Sequence, residues 1–182
     1  MELSKISGLI LGSRSSGIDQ GLQNFRSAPM ALHVMMRLAP QVVDLMINAN
    51  RHIGAYEGFG VPVWPDEMQA VTGPLAGIHT GLLHCDTEFI VSVPCNAPLA
   101  PHDLVQRLAD GLLAQGGDLA IAVTGAAATR QAHPIFCLMK STLLEHLTHY
   151  LRSGGGSDIE AWHATLKVAE VHFDDESNFR LV

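Results

Sequence analysis

The chain has no Cys-x-x-Cys pair, no His-Glu-x-x-His signature, and neither a Walker A nor a Gly-x-Gly-x-x-Gly loop. The first absence argues against a thiolate zinc site, and the last two remove the common sequence-readable phosphate cradles. Only three cysteines occur, Cys85, Cys95 and Cys137, widely spaced and in or beside apolar runs. They read as reduced cysteines packed in or near the core. Basic residues are scarce: 11 Lys and Arg stand against 18 Asp and Glu, for a formal net charge of −7. A non-specific nucleic-acid binder needs a basic face to displace phosphate counterions, so no nucleic-acid partner is expected. A small anionic substrate is not excluded, because a local basic patch can sit on an acidic protein. No apolar run approaches the ~20 residues that span a bilayer. The start, Met1-Glu2-Leu3-Ser4-Lys5, lacks the basic opening and apolar stretch of a secretion signal. No membrane partner is expected, and the expected location is cytoplasmic.

What is present describes one compact domain over residues 1–182. Hydrophobic residues make up 47% and charged residues 16% of the 182 positions, a globular balance at a length suited to one core. The ten histidines are scattered. His146 and His149 are i, i+3 neighbours on an expected helix, but with no third ligand nearby they read as solvent-facing.

Strand and helix signals alternate almost to the end. Strands are expected at 6–11, 42–47, 61–63, 88–93, 119–123, 133–139 and 168–173, from short apolar runs bounded by turn residues. Helices are expected from Pro29 through Leu38, over 51–57 behind an Asn50 cap, from Gly73-Pro74 through Leu83, and over 103–114, 143–151 and 159–166. The alternation implies α/β architecture: a three-layer, mostly parallel twisted sheet with helices on both faces, Rossmann-like. Such sheets bind ligands beyond the carboxyl ends of their strands. That rule selects residues 12–20, 64–74 and 94–98.

Each of these loops carries candidate chemistry. Leu11, Gly12, Ser13 and Arg14 open a glycine- and serine-rich loop that can turn backbone N–H groups toward a phosphate, with Arg14 adding positive charge. Asp66 follows a strand end, where a carboxylate can hold a metal or a ribose hydroxyl. Gly73-Pro74 begins a helix whose N–H donors face outward. Asn96 projects from the fourth large strand between Pro94 and Pro98, and its amide brings oxygen but no charge.

Four segments in this order, Ile18-Asp19-Gln20-Gly21-Leu22, Asn48-Ala49-Asn50-Arg51-His52, Gly73-Pro74-Leu75-Ala76-Gly77-Ile78 and Val93-Pro94-Cys95-Asn96-Ala97-Pro98, carry a resemblance. Along essentially its whole length the chain resembles the molybdenum cofactor guanylyltransferases, so the domain is expected to be nucleotidyltransferase-like. The resemblance implies transfer of GMP from GTP with Mg2+ onto the terminal phosphate of molybdopterin, releasing pyrophosphate. It implies that the loop after Leu11, with Gly12 and Ser13, wraps the phosphates. Asn48 and Asp66 would hold the guanosine, position 96 and Asp66 the metal, and molybdopterin would lie toward the loops after residue 124. GTP and molybdopterin are thus the expected small-molecule partners, with a molybdoenzyme or another cofactor-biosynthesis protein as a protein partner.

The chain departs from this pattern at the chemistry. Gln20 stands where the family has lysine, Asn96 stands where it has aspartate, and the first loop is several residues shorter. On the resemblance, Arg14, Gln20 and Asn96 occupy the catalytic positions. Two alternatives follow: a silent relative that binds and delivers the cofactor, and a nucleotidyltransferase with another substrate.

Overall fold

The computed structural model describes residues 2–13 and 17–182. Its elements run β1 (Ile6–Leu11), β2 (Asn24–Phe25), β3 (Ala28–Pro29), α1 (Met30–Leu38), β4 (Asp44–Asn48), α2 (Ile53–Glu57) and β5 (Val63–Trp64). They continue with α3 (Pro74–Leu83), β6 (Phe89–Pro94), α4 (Leu104–Gln115), β7 (Leu119–Thr124), β8 (Gln131–Lys140), α5 (Leu143–Arg152), α6 (Ile159–His163) and β9 (Val168–His172).

Seven strands form one sheet in the order β5-β4-β1-β6-β8-β7-β9, and β2 pairs with β3 as a separate hairpin. All neighbouring pairs in the large sheet are parallel except those made by β8, which runs antiparallel to β6 and β7. The reversal has a simple cause. Residues 125–130 between β7 and β8 are too few for a parallel crossover, which takes a dozen or more.

Alternation along β1 divides the core. Ile6 and Ile10 join one hydrophobic cluster with Ala31, Val34 and Leu38 of α1 and Leu104, Leu108 and Leu112 of α4. Leu9 and Leu11 point the other way, into a cluster with Leu75, Ile78 and Leu82 of α3, Leu147 of α5 and Trp162 of α6. The result is a three-layer α/β/α domain. The stripe Leu143, Leu147, Leu151 on α5 explains its docking, and the fully buried Leu147 contributes about 2 kcal/mol. The five-residue α6 is too short to form alone. Asp158 caps it, accepting hydrogen bonds from Glu160 N at 2.9 Å and Ala161 N at 3.5 Å, and Trp162 anchors it from below with no exposed surface.

Three local expectations are corrected. Asn50 does not cap the next helix: its side chain exchanges hydrogen bonds with Asp66, and α2 starts later, at Ile53, behind His52 in left-handed backbone (φ 51°). Pro29 ends β3, and α1 begins one residue after it. The 42–47 strand starts at Asp44 and leaves Val43 more than half exposed.

Candidate active site

The sheet order fixes where the site must be. From β1 the chain moves outward to β4 and β5, then returns to β6 on the other side of β1, so the topological switch point lies between the carboxyl ends of β1 and β6. There Cys95 N donates to Leu11 O at 2.8 Å, and Gly12 N donates to Asn48 O at 2.8 Å. These bonds hold the three strand ends side by side. A cavity of about 270 Å3 opens above them, bounded by Leu11, Gly12, Ser13, Gln20, Pro74, Asn96 and, on its apolar side, Ile135 and Leu181.

Six of the residues selected from the sequence therefore meet in one cavity. Gly73 stands just outside it as the residue before α3, with φ 83°, a left-handed conformation that a Cβ disfavours. Pro74 follows at the first helical position, so the unpaired N–H groups of the first turn of α3 open beside the cavity. Arg14 lies outside the described residues.

Asn48 and Asp66 form a second, adjoining arrangement. The buried Asn48 Nδ2 donates to Asp66 Oδ1 at 3.0 Å and to Trp64 O at 2.9 Å. Asn50 Nδ2 donates to Asp66 Oδ2 at 2.7 Å, while Asp66 N donates back to Asn50 Oδ1 at 2.8 Å. The carboxylate is thus fixed by two amides at the end of β5. The start of its loop is pinned by Trp64, whose ring stacks on His84 at 3.8 Å.

Asn96 and Gln20, from opposite walls, touch each other. Asn96 Nδ2 donates to Gln20 Oε1 at 3.3 Å and to the Val182 carbonyl at 3.4 Å, and Asn96 is nine-tenths buried. Mg2+ needs hard oxygen donors with net negative charge. Residue 96 offers a neutral amide that is already hydrogen-bonded, and the described residues hold no group of three His, Cys, Asp or Glu side chains able to share an ion. Residue 96 does not fit a charged metal anchor.

Next to this cavity is another of about 300 Å3, sharing Pro94, Ile135 and Leu181 and extending to Gln131, His133 and Phe179. Its floor comes from an irregularity. In the β7–β8 ladder Ile121 pairs with Cys137 and Ala122 with His133, so residues 134–136 bulge out of register. Pro134 has no N–H for the ladder, which favours the bulge there. Ser92 Oγ secures it by donating to Ile135 O at 2.6 Å. His133 is fixed by Thr124 Oγ1 at 2.8 Å and by the Phe179 ring at 4.6 Å.

Sequence reasoning missed three contributors to this architecture: the bulge, the Asn50–Asp66 exchange, and a buried Tyr56–Asp19 hydrogen bond of 2.6 Å. For the last there was a usable signal, since a tyrosine on the apolar face of a short helix needs a partner for its hydroxyl.

A mostly parallel sheet with a cavity at its switch point has the α/β architecture shared by nucleotidyltransferases. The MobA-like NTP transferase domain matches residues 11–168. Among similar proteins, molybdenum cofactor guanylyltransferase of Bordetella petrii is 49% identical over 183 residues, covering 98% of this chain and 93% of that protein. Its counterpart in Cupriavidus necator is 52% identical over 179 residues, covering 96% and 89%. Among solved structures, molybdopterin-guanine dinucleotide biosynthesis protein A from Archaeoglobus fulgidus superposes with a TM-score of 0.71 at 14% identity, covering 92% and 83% of the two chains. A 4-diphosphocytidyl-2C-methyl-D-erythritol synthase from Anaerococcus prevotii reaches 0.79 at 12% identity, covering 99% and 91%. The chain belongs to the MobA-like NTP transferase family, among the molybdenum cofactor guanylyltransferases.

Proposed function

We propose that this chain, as a single nucleotidyltransferase-like domain, transfers GMP from GTP to molybdopterin. An oxygen of the molybdopterin terminal phosphate forms the new bond to the α-phosphorus of GTP. The bond from that phosphorus to the bridging oxygen breaks, and pyrophosphate leaves with the electron pair. The observation that carries this reading is the meeting of Leu11, Gly12, Ser13, Gln20, Pro74 and Asn96 around one cavity at the switch point, beside the amide-held Asp66.

In this reading the backbone of Gly12 and Ser13, with Arg14, receives the triphosphate, and Gly73-Pro74 brings helix-start donors to it. Asn48 and Asp66 face the guanosine, with the carboxylate as acceptor for ribose or base N–H and O–H groups. Asn96 and Gln20 contribute neutral hydrogen bonds near the reacting phosphates. Mg2+ arrives as part of the metal–nucleotide substrate, with Asp66 as the carboxylate that would contact it. The adjoining cavity at Gln131, His133 and Phe179 receives the acceptor, its size and aromatic wall suiting a pterin. Transfer of this kind depends on positioning and electrostatics more than on covalent help from the protein, which makes the two amides tolerable at reduced rate. No helix among the described residues is long and apolar enough to cross a membrane. We place the reaction in the cytoplasm, with the product passing to a molybdoenzyme or another cofactor-biosynthesis protein.

A second reading is favoured by the Gln20–Asn96 amide pair itself: a silent relative that binds the cofactor and delivers it. Calorimetric titration with GTP, with and without Mg2+ and with ATP and CTP as controls, separates the two. GTP-selective binding strengthened by Mg2+ is the expected result. Absence of nucleotide binding at high concentration together with binding of molybdopterin would favour the carrier and remove the transferase reading.

A further inference from the structure

Residues 17–21 are gripped from residues 48–56, which end β4 and enter α2. Arg51 Nη1 donates to Gly17 O at 3.2 Å, and Tyr56 Oη donates to Asp19 Oδ1 at 2.6 Å. Tyr56 has no exposed surface and Asp19 is nine-tenths buried, so this bond joins two groups that water does not serve. Burial, followed by the Asp19 hydrogen bond, pushes the Tyr56 phenol well above its usual range, keeping it a donor. The residues after Asp19 are Gln20, bonded to Asn96, and Gly21, packed so closely that an added Cβ would collide with the Tyr56 hydroxyl and lie 3.1 Å from Cys95 Cβ. At its other end the same segment holds Asp66 through Asn48 and Asn50. One stretch, residues 48–56, thus touches both the phosphate side and the nucleoside side of the cavity.

We propose that Tyr56 is a positioning residue for nucleotide transfer, acting through Asp19 to set where Gln20 stands relative to Asn96. The proposal rests on the guanylyltransferase reading. Its ring alone would serve the core, where it packs edge-on to Phe59 at 5.9 Å, and that contact does not need the hydroxyl. Hydroxyl and ring can therefore be separated by substitution.

The test compares the parent chain with Tyr56→Phe and Asp19→Asn, by GTP titration and by backbone hydrogen exchange. Tyr56→Phe keeps the ring but leaves the buried Asp19 carboxylate without this donor. GTP affinity should fall about 10- to 100-fold, the worth of a hydrogen bond to a charged group. Exchange over residues 17–23 should rise while residues 6–11 stay protected. Asp19→Asn still accepts from Tyr56 and should hold affinity within about threefold, which separates loss of the hydrogen bond from loss of the Asp19 charge. Unchanged affinity and unchanged exchange in Tyr56→Phe would overturn the proposal. Should the parent chain bind no GTP, the transferase reading falls. The exchange over 17–23 then decides the positioning role alone, and protection equal to the parent overturns it.

Discussion

Changing Gln20 to lysine and Asn96 to aspartate together raises the rate of GMP transfer by about 100-fold or more over the parent chain. Each charged contact to a transferring group is worth about 10²–10³ in rate where it is missing, and the two losses need not add. The structure explains why the pair should act as a unit. The two side chains already meet at 3.3 Å, so lysine and aspartate there would neutralise each other in the free protein. Aspartate alone at position 96 would be a nine-tenths buried carboxylate facing the Gln20 amide and the Val182 oxygen, costing about 1–3 kcal/mol of stability. Lysine alone would face the Asn96 amide, with no carboxylate opposite it. Measuring kcat/KM for the four combinations checks this, with the double variant expected to exceed the product of the single effects. A double variant no faster than the parent would mean that these two departures do not limit the site.

Acidification from pH 7 toward pH 4 should cost about 3 kcal/mol of folding stability through His163 alone. Burial against Trp162 lowers the pKa of His163 to about 4 from an unfolded value of 6.5, and among the described residues its Nε2 has no hydrogen-bond partner. Between those two pH values the unfolded chain binds more protons than the folded one, so stability is full above pH 6.5 and falls as pH drops toward 4. At about 1.4 kcal/mol per pH unit, the interval gives the stated loss. Buried His79 and half-buried His133 shift in the same downward direction, mainly through burial, and add to the slope. A loss of that size lowers the thermal midpoint by about 6–12 °C in a chain of this length. Thermal unfolding across this pH range, repeated with His163→Leu, isolates the contribution: the variant should show a shallower decline. Equal slopes in both chains would show that His163 is not the group being protonated.

The sequence carried the frame of this structure because central strands announce themselves. Ile6–Leu11 is buried along its whole length, so a plain apolar run located it to the residue. The switch-point rule then chose the loops at 12–20, 64–74 and 94–98, and residues from all three line the cavity. What escaped was tertiary in origin. The direction of β8 is the exception, because the shortness of the connection between the expected strands at 119–123 and 133–139 is itself a sequence feature. The bulge at residues 134–136 depended on Pro134 meeting a ladder that its sequence neighbours do not reveal. Asn50 looked like a helix cap because capping is its usual local use, but a carboxylate sixteen positions away competes more strongly for its amide. Tyr56 and Asp19, thirty-seven positions apart, come together only once β4 has placed α2 beneath the first loop. Gln20 was singled out by resemblance alone and Asn96 by its strand-end loop as well, and their mutual contact required the fold.

The most direct test of GMP transfer is movement of label from α-phosphate-labelled GTP to molybdopterin by the purified chain, followed as guanine dinucleotide and pyrophosphate. Product formation should be slow and GTP-selective, and should fail when Asp66 is changed to alanine. Labelled dinucleotide absent after long incubation, with GTP binding intact, would contradict the transferase reading and leave a nucleotide-binding relative without transfer.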